Sequence, residues 1–80
     1  MTKIVCAQLA PVLGDLPGNL ERSTAAIAEA VAAGAQVVVL PELVTSGYMF
    51  GDVEEARASA LRAGDPAFGR WTAAAGDAVV

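Results

Sequence analysis

The stretch Gly34-Ala35-Gln36-Val37-Val38-Val39-Leu40-Pro41-Glu42-Leu43 decides how this chain is read. Its centre, Gln36 to Leu40, is apolar and rich in β-branched residues with no alternation, which predicts a strand buried on both faces of a helix-covered sheet. Pro41 ends the strand because proline has no N–H to give to a ladder. Gly34 marks the other boundary, as the left-handed stop of a preceding helix.

Upstream of Gly34, Leu20, Thr24, Ile27 and Val31 recur at helical spacing. They predict one apolar stripe on a helix whose other face carries Glu21, Arg22 and Glu29. Asp15 is the expected N-cap, Pro17 lies in the first turn where proline is tolerated, and Asn19 is expected to steady the first helical turns. Earlier still, Ile4 to Leu9 predicts a strand stopped by Ala10-Pro11. Strand, helix, strand with short joints is a βαβ unit with parallel strands and a right-handed crossover. Both carboxyl ends then share one edge, where ligands bind in open α/β sheets. Downstream, Pro41 to Asp52 reads as a loop, Val53 to Leu61 as a short helix, and Pro66 to Ala75 as a helix capped by Asp65 and stopped by Gly76. Ala78-Val79-Val80 predicts the start of a further strand, so residues 1–80 are expected to be the first part of a larger α/β domain.

Composition narrows the function. The 80 residues are 55% hydrophobic with a net charge of −4, which excludes disorder as the main state. The apolar content is mostly alanine and valine, and a chain of this size buries only about 60% of its unfolded surface, so an isolated core would be weak. One cysteine and no histidine exclude an internal disulfide, a Cys/His zinc site and a Ser-His-Asp triad. No metal or cofactor is expected. Five basic residues among nine acidic ones leave no footprint for a phosphate backbone, so nucleic acid is not an expected partner. The longest apolar stretch, Ala30 to Pro41, is interrupted by Gln36 and is shorter than the roughly 20 residues of a membrane span. Gln8 and Pro11 break the run after Lys3 before it could form a secretory core, and a cytoplasmic location is expected, where a free thiol is at home.

Glu42 is the candidate functional residue. Placed directly after an apolar strand and a proline, its carboxylate is carried to the carboxyl edge of the sheet, where partial desolvation would suit a general base. The residue types alone leave a second use open, solvation of a strand end or acceptance of hydrogen bonds from loop amides. Tyr48 either contacts the site or anchors its loop. Cys6, in the middle of an apolar strand, is expected to be a small inert core residue and not a nucleophile. Lys3 is expected to be a solvated strand start at the amino edge, away from the site, and Phe50, Phe68 and Trp71 are assigned to packing.

The run from Gly34 to Leu43, followed by Ser46-Gly47-Tyr48, resembles the N-terminal signature of the nitrilase (carbon-nitrogen hydrolase) superfamily. Ala7-Gln8-Leu9, the Gly14-Asp15 turn and Asn19 match the same pattern upstream; the resemblance is sharp over residues 34–48 and loose after Asp52. It implies an αββα sandwich, of which residues 1–80 would be the N-terminal βαβα portion, truncated at the start of the third strand. It implies a Glu-Lys-Cys triad that acts on nonpeptide carbon-nitrogen bonds of small amide, carbamoyl or nitrile substrates through a cysteine thioester. Glu42 matches the family's general base and Tyr48 is a candidate substrate contact, whereas the family's lysine and nucleophilic cysteine fall beyond Val80 in the pattern. The parent would be a homo-oligomer, and this portion by itself inactive. Gly14-Asp15 with Gly18-Asn19 also resembles the glutaminase domain of glutamine-dependent NAD synthetases. That subgroup usually continues after Gly-Tyr with a proline-containing acidic segment, and Met49-Phe50-Gly51-Asp52 stands here instead, which favours a stand-alone hydrolase. A noncatalytic βαβ interaction module is the third alternative.

Overall fold

A computed structural model describes all of residues 1–80 as a mixed α/β arrangement of two parallel strands and three helices. Strand β1 (Ile4–Cys6) pairs with β2 (Val37–Val39), placing Ile4, Val5 and Cys6 opposite Val37, Val38 and Val39. Helix α1 (Leu16–Ala32) connects them, so the expected βαβ unit is present. The Asp15 carboxylate accepts a hydrogen bond from the Gly18 N–H at 3.2 Å, and proline sits in the first turn. At the other end, the Ala35 N–H donates to the Ala30 carbonyl at 3.0 Å and the Gly34 N–H to Val31 at 2.9 Å. This double closure requires a left-handed residue, and Gly34 supplies it at φ 96.

Both strands are shorter than expected, and Pro41 explains the loss in β1. The last rung is the Ala7 N–H donating to Val39 at 2.9 Å; the next would need an N–H at position 41 to reach Ala7, and proline has none. Gln8 and Leu9 therefore leave the sheet. Helix α2 (Val53–Ala58) ends short of the expected Leu61, with Ser59 as its C-cap. Helix α3 (Pro66–Ala75) has the expected limits, with Asp65 capping the Ala67 N–H at 2.9 Å and Gly76 closing it at φ 57. The third strand exists as a single parallel bridge on the far side of β2. There the Val38 N–H donates to Val79 at 2.8 Å and the Val79 N–H donates to Gln36 at 3.0 Å.

Helices α1 and α3 pack on each other and on one face of the sheet. Ile27, Ala30, Ala35, Val38 and Ala75 form the core, flanked by the half-buried Val5, Leu40 and Trp71. Within α1 the buried face differs from the expected stripe. Asn19, Ser23, Ile27 and Ala30 are buried, and Leu20, Thr24 and Val31 lie half-buried beside them. The polar members can occupy that face because each is hydrogen-bonded: the Ser23 hydroxyl donates to the Leu20 carbonyl and accepts the Trp71 indole N–H, both at 3.0 Å.

The opposite face of the sheet carries no helix. Residues paired in register share a face, so Ile4, Cys6, Val37, Val39 and Val79 point the same way. Ile4 is 60% exposed, Val39 49% and Val79 65%. This corrects two expectations, that β2 is buried on both faces and that Cys6 is a core residue. Cys6 is exposed, because the side of the strand that carries it has nothing packed on it. The accessible surface totals 5263 Å², against roughly 4,500 Å² for a compact monomer of this mass, and the bare face accounts for part of the excess. No helix is long and apolar enough to cross a membrane.

Candidate functional site

The loops that leave β1 and β2 at their carboxyl ends lie side by side. After Pro41 the chain enters a tight turn in which the Leu43 carbonyl accepts the Gly47 N–H at 2.8 Å and the Ser46 N–H at 3.3 Å. Leu43 takes a left-handed conformation, φ 54, to make this possible. A leucine held there stores on the order of 1 kcal/mol or more of backbone strain, which the surrounding hydrogen bonds must offset. Glu42 stands at the start of the turn and is exposed, so these 80 residues do not give it the partial desolvation expected of a general base. Its backbone carbonyl accepts the Tyr48 hydroxyl at 2.7 Å, so one end of the turn is closed by a side chain from the other.

The turn is fixed to the β1 loop from below. Gly14 donates its N–H to the Ser46 carbonyl at 3.0 Å. Gly47, at φ 82, lies so near the β1 loop that a Cβ there would come within 2.9 Å of the Leu13 Cα. Only glycine tolerates both the angle and the approach. Asn19 completes the link. Its Nδ2 donates to Val12 O at 2.7 Å and to Thr45 O at 2.9 Å, while its Oδ1 accepts the Val12 N–H at 2.8 Å and Arg22 Nη2 at 2.7 Å. The carboxamide thus makes all four hydrogen bonds open to it, in a side chain only 2% exposed.

The expected site residues are therefore distributed as follows. Glu42 and Tyr48 stand together at the carboxyl edge, joined through a backbone carbonyl. Tyr48 is 41% exposed, so it closes the turn without being buried in it. Lys3 lies at the amino end of β1, where its ammonium donates to the Ala33 carbonyl at 2.6 Å. It is exposed, as expected of a strand start, yet it also satisfies an end carbonyl of α1. Asn19 was expected to steady the first helical turns; its side chain instead joins the loops of both strands. Its spacing with Ser23, Ile27 and Ala30 is the signal that points inward.

A concavity of about 980 Å³ is lined in part by this turn, through Leu43, Val44, Thr45 and Ser46, and does not include Glu42. It runs along β2 between α2 and α3 and is lined mainly by apolar side chains, among them Leu40, Leu43, Phe50, Leu61, Phe68 and Trp71. Phe68 and Trp71 meet edge to face at 5.8 Å. A groove of this composition has few polar groups to orient a ligand.

The pattern of the carbon-nitrogen hydrolase family matches residues 3–78, nearly the whole chain. The chain belongs to this family. A glutamine-dependent NAD(+) synthetase from Rhodobacter capsulatus is 43% identical over 51 residues, covering 64% of this chain and 9% of that protein. The chain thus spans about a tenth of the length of that relative. Within the carbon-nitrogen hydrolase family frame, the Glu42 turn falls inside the matched region, as do Asn19, Gly47 and Tyr48.

Proposed function

We propose that this chain is the N-terminal portion of a hydrolase for nonpeptide carbon-nitrogen bonds, in which Glu42 is the general base of a Glu-Lys-Cys triad. The observation that carries the reading is the placement of Glu42 at the carboxyl edge of the sheet, on a turn held by Tyr48, Gly47 and Asn19, in a chain of this family. This reading takes the triad's lysine and nucleophilic cysteine from outside these 80 residues, whose single cysteine is Cys6. Cys6 is not taken as the nucleophile in this reading: it is the last residue of β1, not mid-strand as expected, and it pairs with Val39 on the bare face of the sheet.

The chemistry assigns Glu42 two proton relays, each an uptake followed by a release. The cysteine thiol gives its proton to the Glu42 carboxylate as sulfur attacks the carbonyl carbon, and the lysine cation stabilises the negative oxygen that forms. The departing amine takes that proton when the carbon-nitrogen bond breaks, leaving a thioester. Water then attacks the thioester, its proton passes through Glu42 to the departing sulfur, and the acid is released with the thiol restored. A nitrile would first add the thiol across its C≡N bond to give a thioimidate; one water would add to that and ammonia leave, giving the same thioester, which a second water would hydrolyse. The bare face of Ile4, Cys6, Val39 and Val79 supports the αββα sandwich, since an apolar sheet face of this kind is covered by a second sheet about 10 Å away. The substrate would be a small amide, carbamoyl or nitrile compound, and the parent a cytoplasmic homo-oligomer.

A second reading, the glutaminase domain of a glutamine-dependent NAD synthetase, is favoured by the 43% identical relative. One assay on the whole protein separates them: ammonia release from glutamine, simple amides, carbamoyl compounds and nitriles. Glu42→Gln should lower kcat by roughly 10²-fold or more with a smaller change in KM. Glutamine as the best substrate selects the second reading, and a near-parental kcat for Glu42→Gln rejects the role given to Glu42 in both.

A further inference from the structure

We propose that Asn19 is a positioning residue for Glu42: its buried carboxamide locks the loop after β1 to the turn after β2 and so sets where the Glu42 carboxylate stands. The proposal rests on the reading of Glu42 as the general base. Asn19 has no place in that chemistry, and it is polar on the buried side of a helix, where an apolar residue of similar size would avoid the need for four partners.

The geometry shows what those partners achieve. Two of the four bonds form a closed pair with one residue, Val12, accepting its N–H at 2.8 Å and donating to its carbonyl at 2.7 Å. That pair fixes the β1 loop to α1. The third, Nδ2 to Thr45 O at 2.9 Å, crosses 26 residues of sequence to the middle of the Glu42 turn. The fourth, from Arg22 Nη2 at 2.7 Å, holds the oxygen side of the amide, so the NH₂ group is left facing the two carbonyls. Arg22 is itself steadied by Asp15 at 3.4 Å.

The turn transmits this anchor to Glu42 over a short path. Thr45 lies inside the loop closed by Gly47 N–H and Leu43 O at 2.8 Å, and Glu42 is the residue before Leu43. Leu43 is in a left-handed conformation at φ 54, which a free loop would abandon for a lower-energy one. Releasing Thr45 therefore allows Leu43 to relax and the Glu42 carboxylate to move. A displacement near 1 Å at a reacting group costs about 10²-fold in rate, so the effect belongs in kcat and not in substrate binding.

The test uses the whole protein and the amide it turns over fastest. Asn19→Asp keeps the size and the oxygen that accepts from Val12 and Arg22 but puts a second oxygen where two carbonyls need a donor. It should lower kcat by roughly 10- to 10²-fold with KM within about twofold, and it should cause no further loss in a Glu42→Gln background, because residues acting through one group are not additive. Arg22→Ala, an exposed change that leaves the fold intact, should give a smaller kcat loss of about two- to fivefold, also absent in the Glu42→Gln background. Equal fractional losses with and without Glu42 would make Asn19 a general structural staple and overturn the proposal. A parental kcat for Arg22→Ala overturns it as well if Asn19→Asp does not fold. A Glu42→Gln protein of full activity would instead reject the base assignment on which the proposal rests.

Discussion

The two faces of the sheet have the same kind of residue and opposite surroundings. Val38 is 1% exposed beneath α1 and α3, and its neighbour Val39 is 49% exposed on the bare side. Sequence places them in one uninterrupted valine run, so side-chain chemistry does not distinguish them. Strand alternation does: consecutive residues point to opposite faces, and only one face has helices to receive them. A β-branched strand announces that it should be buried, but the partner that buries it has to come from elsewhere in the fold.

The contrast is tested most severely by one substitution made on each face of the 80-residue chain. Val38→Asp puts an unpaired carboxylate into the core, a cost of several kcal/mol that exceeds what so small a core can supply, and helical circular dichroism should disappear. Val39→Asp should keep that signal and reduce both ANS binding and self-association, which the parent chain is expected to show through its open face. A parent that runs as a monodisperse monomer with a cooperative thermal transition and no ANS binding would break the comparison, since the Val39 face would then need no cover.

With association suppressed by Val39→Asp, truncations refine the difference. Ile27→Ala, at a fully buried position, should cost about 2–5 kcal/mol in urea unfolding, whereas Ile4→Ala on the bare face should stay within about 0.5 kcal/mol. Equal losses would mean that the outer face is packed after all. Trp71→Phe should cost about 1 kcal/mol, because it removes the indole N–H that the buried Ser23 hydroxyl accepts while keeping most of the ring. The smallest effect is expected at Cys6, where Cys6→Ser should change stability hardly at all. Its thiol should react freely with a disulfide reagent in the chain alone and slowly in the whole protein, if a second sheet covers it there. Rapid labelling in both would argue against the sandwich.

The turn at the carboxyl edge obeys a different logic from either face. Beside the buried Val44 it is shaped by polar contacts: the Asn19 amide, the Tyr48 hydroxyl and the Gly14 and Gly47 N–H groups. Gly47→Ala would set a left-handed alanine against Leu13 and should perturb the turn more than any change on the bare sheet face. The position of Glu42 at the carboxyl end of β2 was legible in advance because strand, proline and carboxylate are adjacent in sequence. The frame around it was not, because Asn19 is 7 residues from Val12 and 26 from Thr45, and no local pattern connects positions so far apart.

The sequence by itself determined the order of the elements, the caps at Asp15 and Asp65, the stops at Gly34 and Gly76, and the parallel pairing of the first two strands. Each follows from short-range constraints: a carboxylate reaching an N–H within the next few residues, a glycine able to take positive φ, a crossover long enough only for parallel strands. The tertiary structure decided which side of α1 is buried, how β2 divides into a covered and an open face, and how Asn19 ties two loops together. These depend on which surfaces meet and on whether a buried polar group finds partners there. The spacing of apolar residues put Leu20 in the inward stripe and left Asn19 out of it, and hydrogen bonds donated to distant carbonyls, absent from any local reading, made the polar one the more deeply buried.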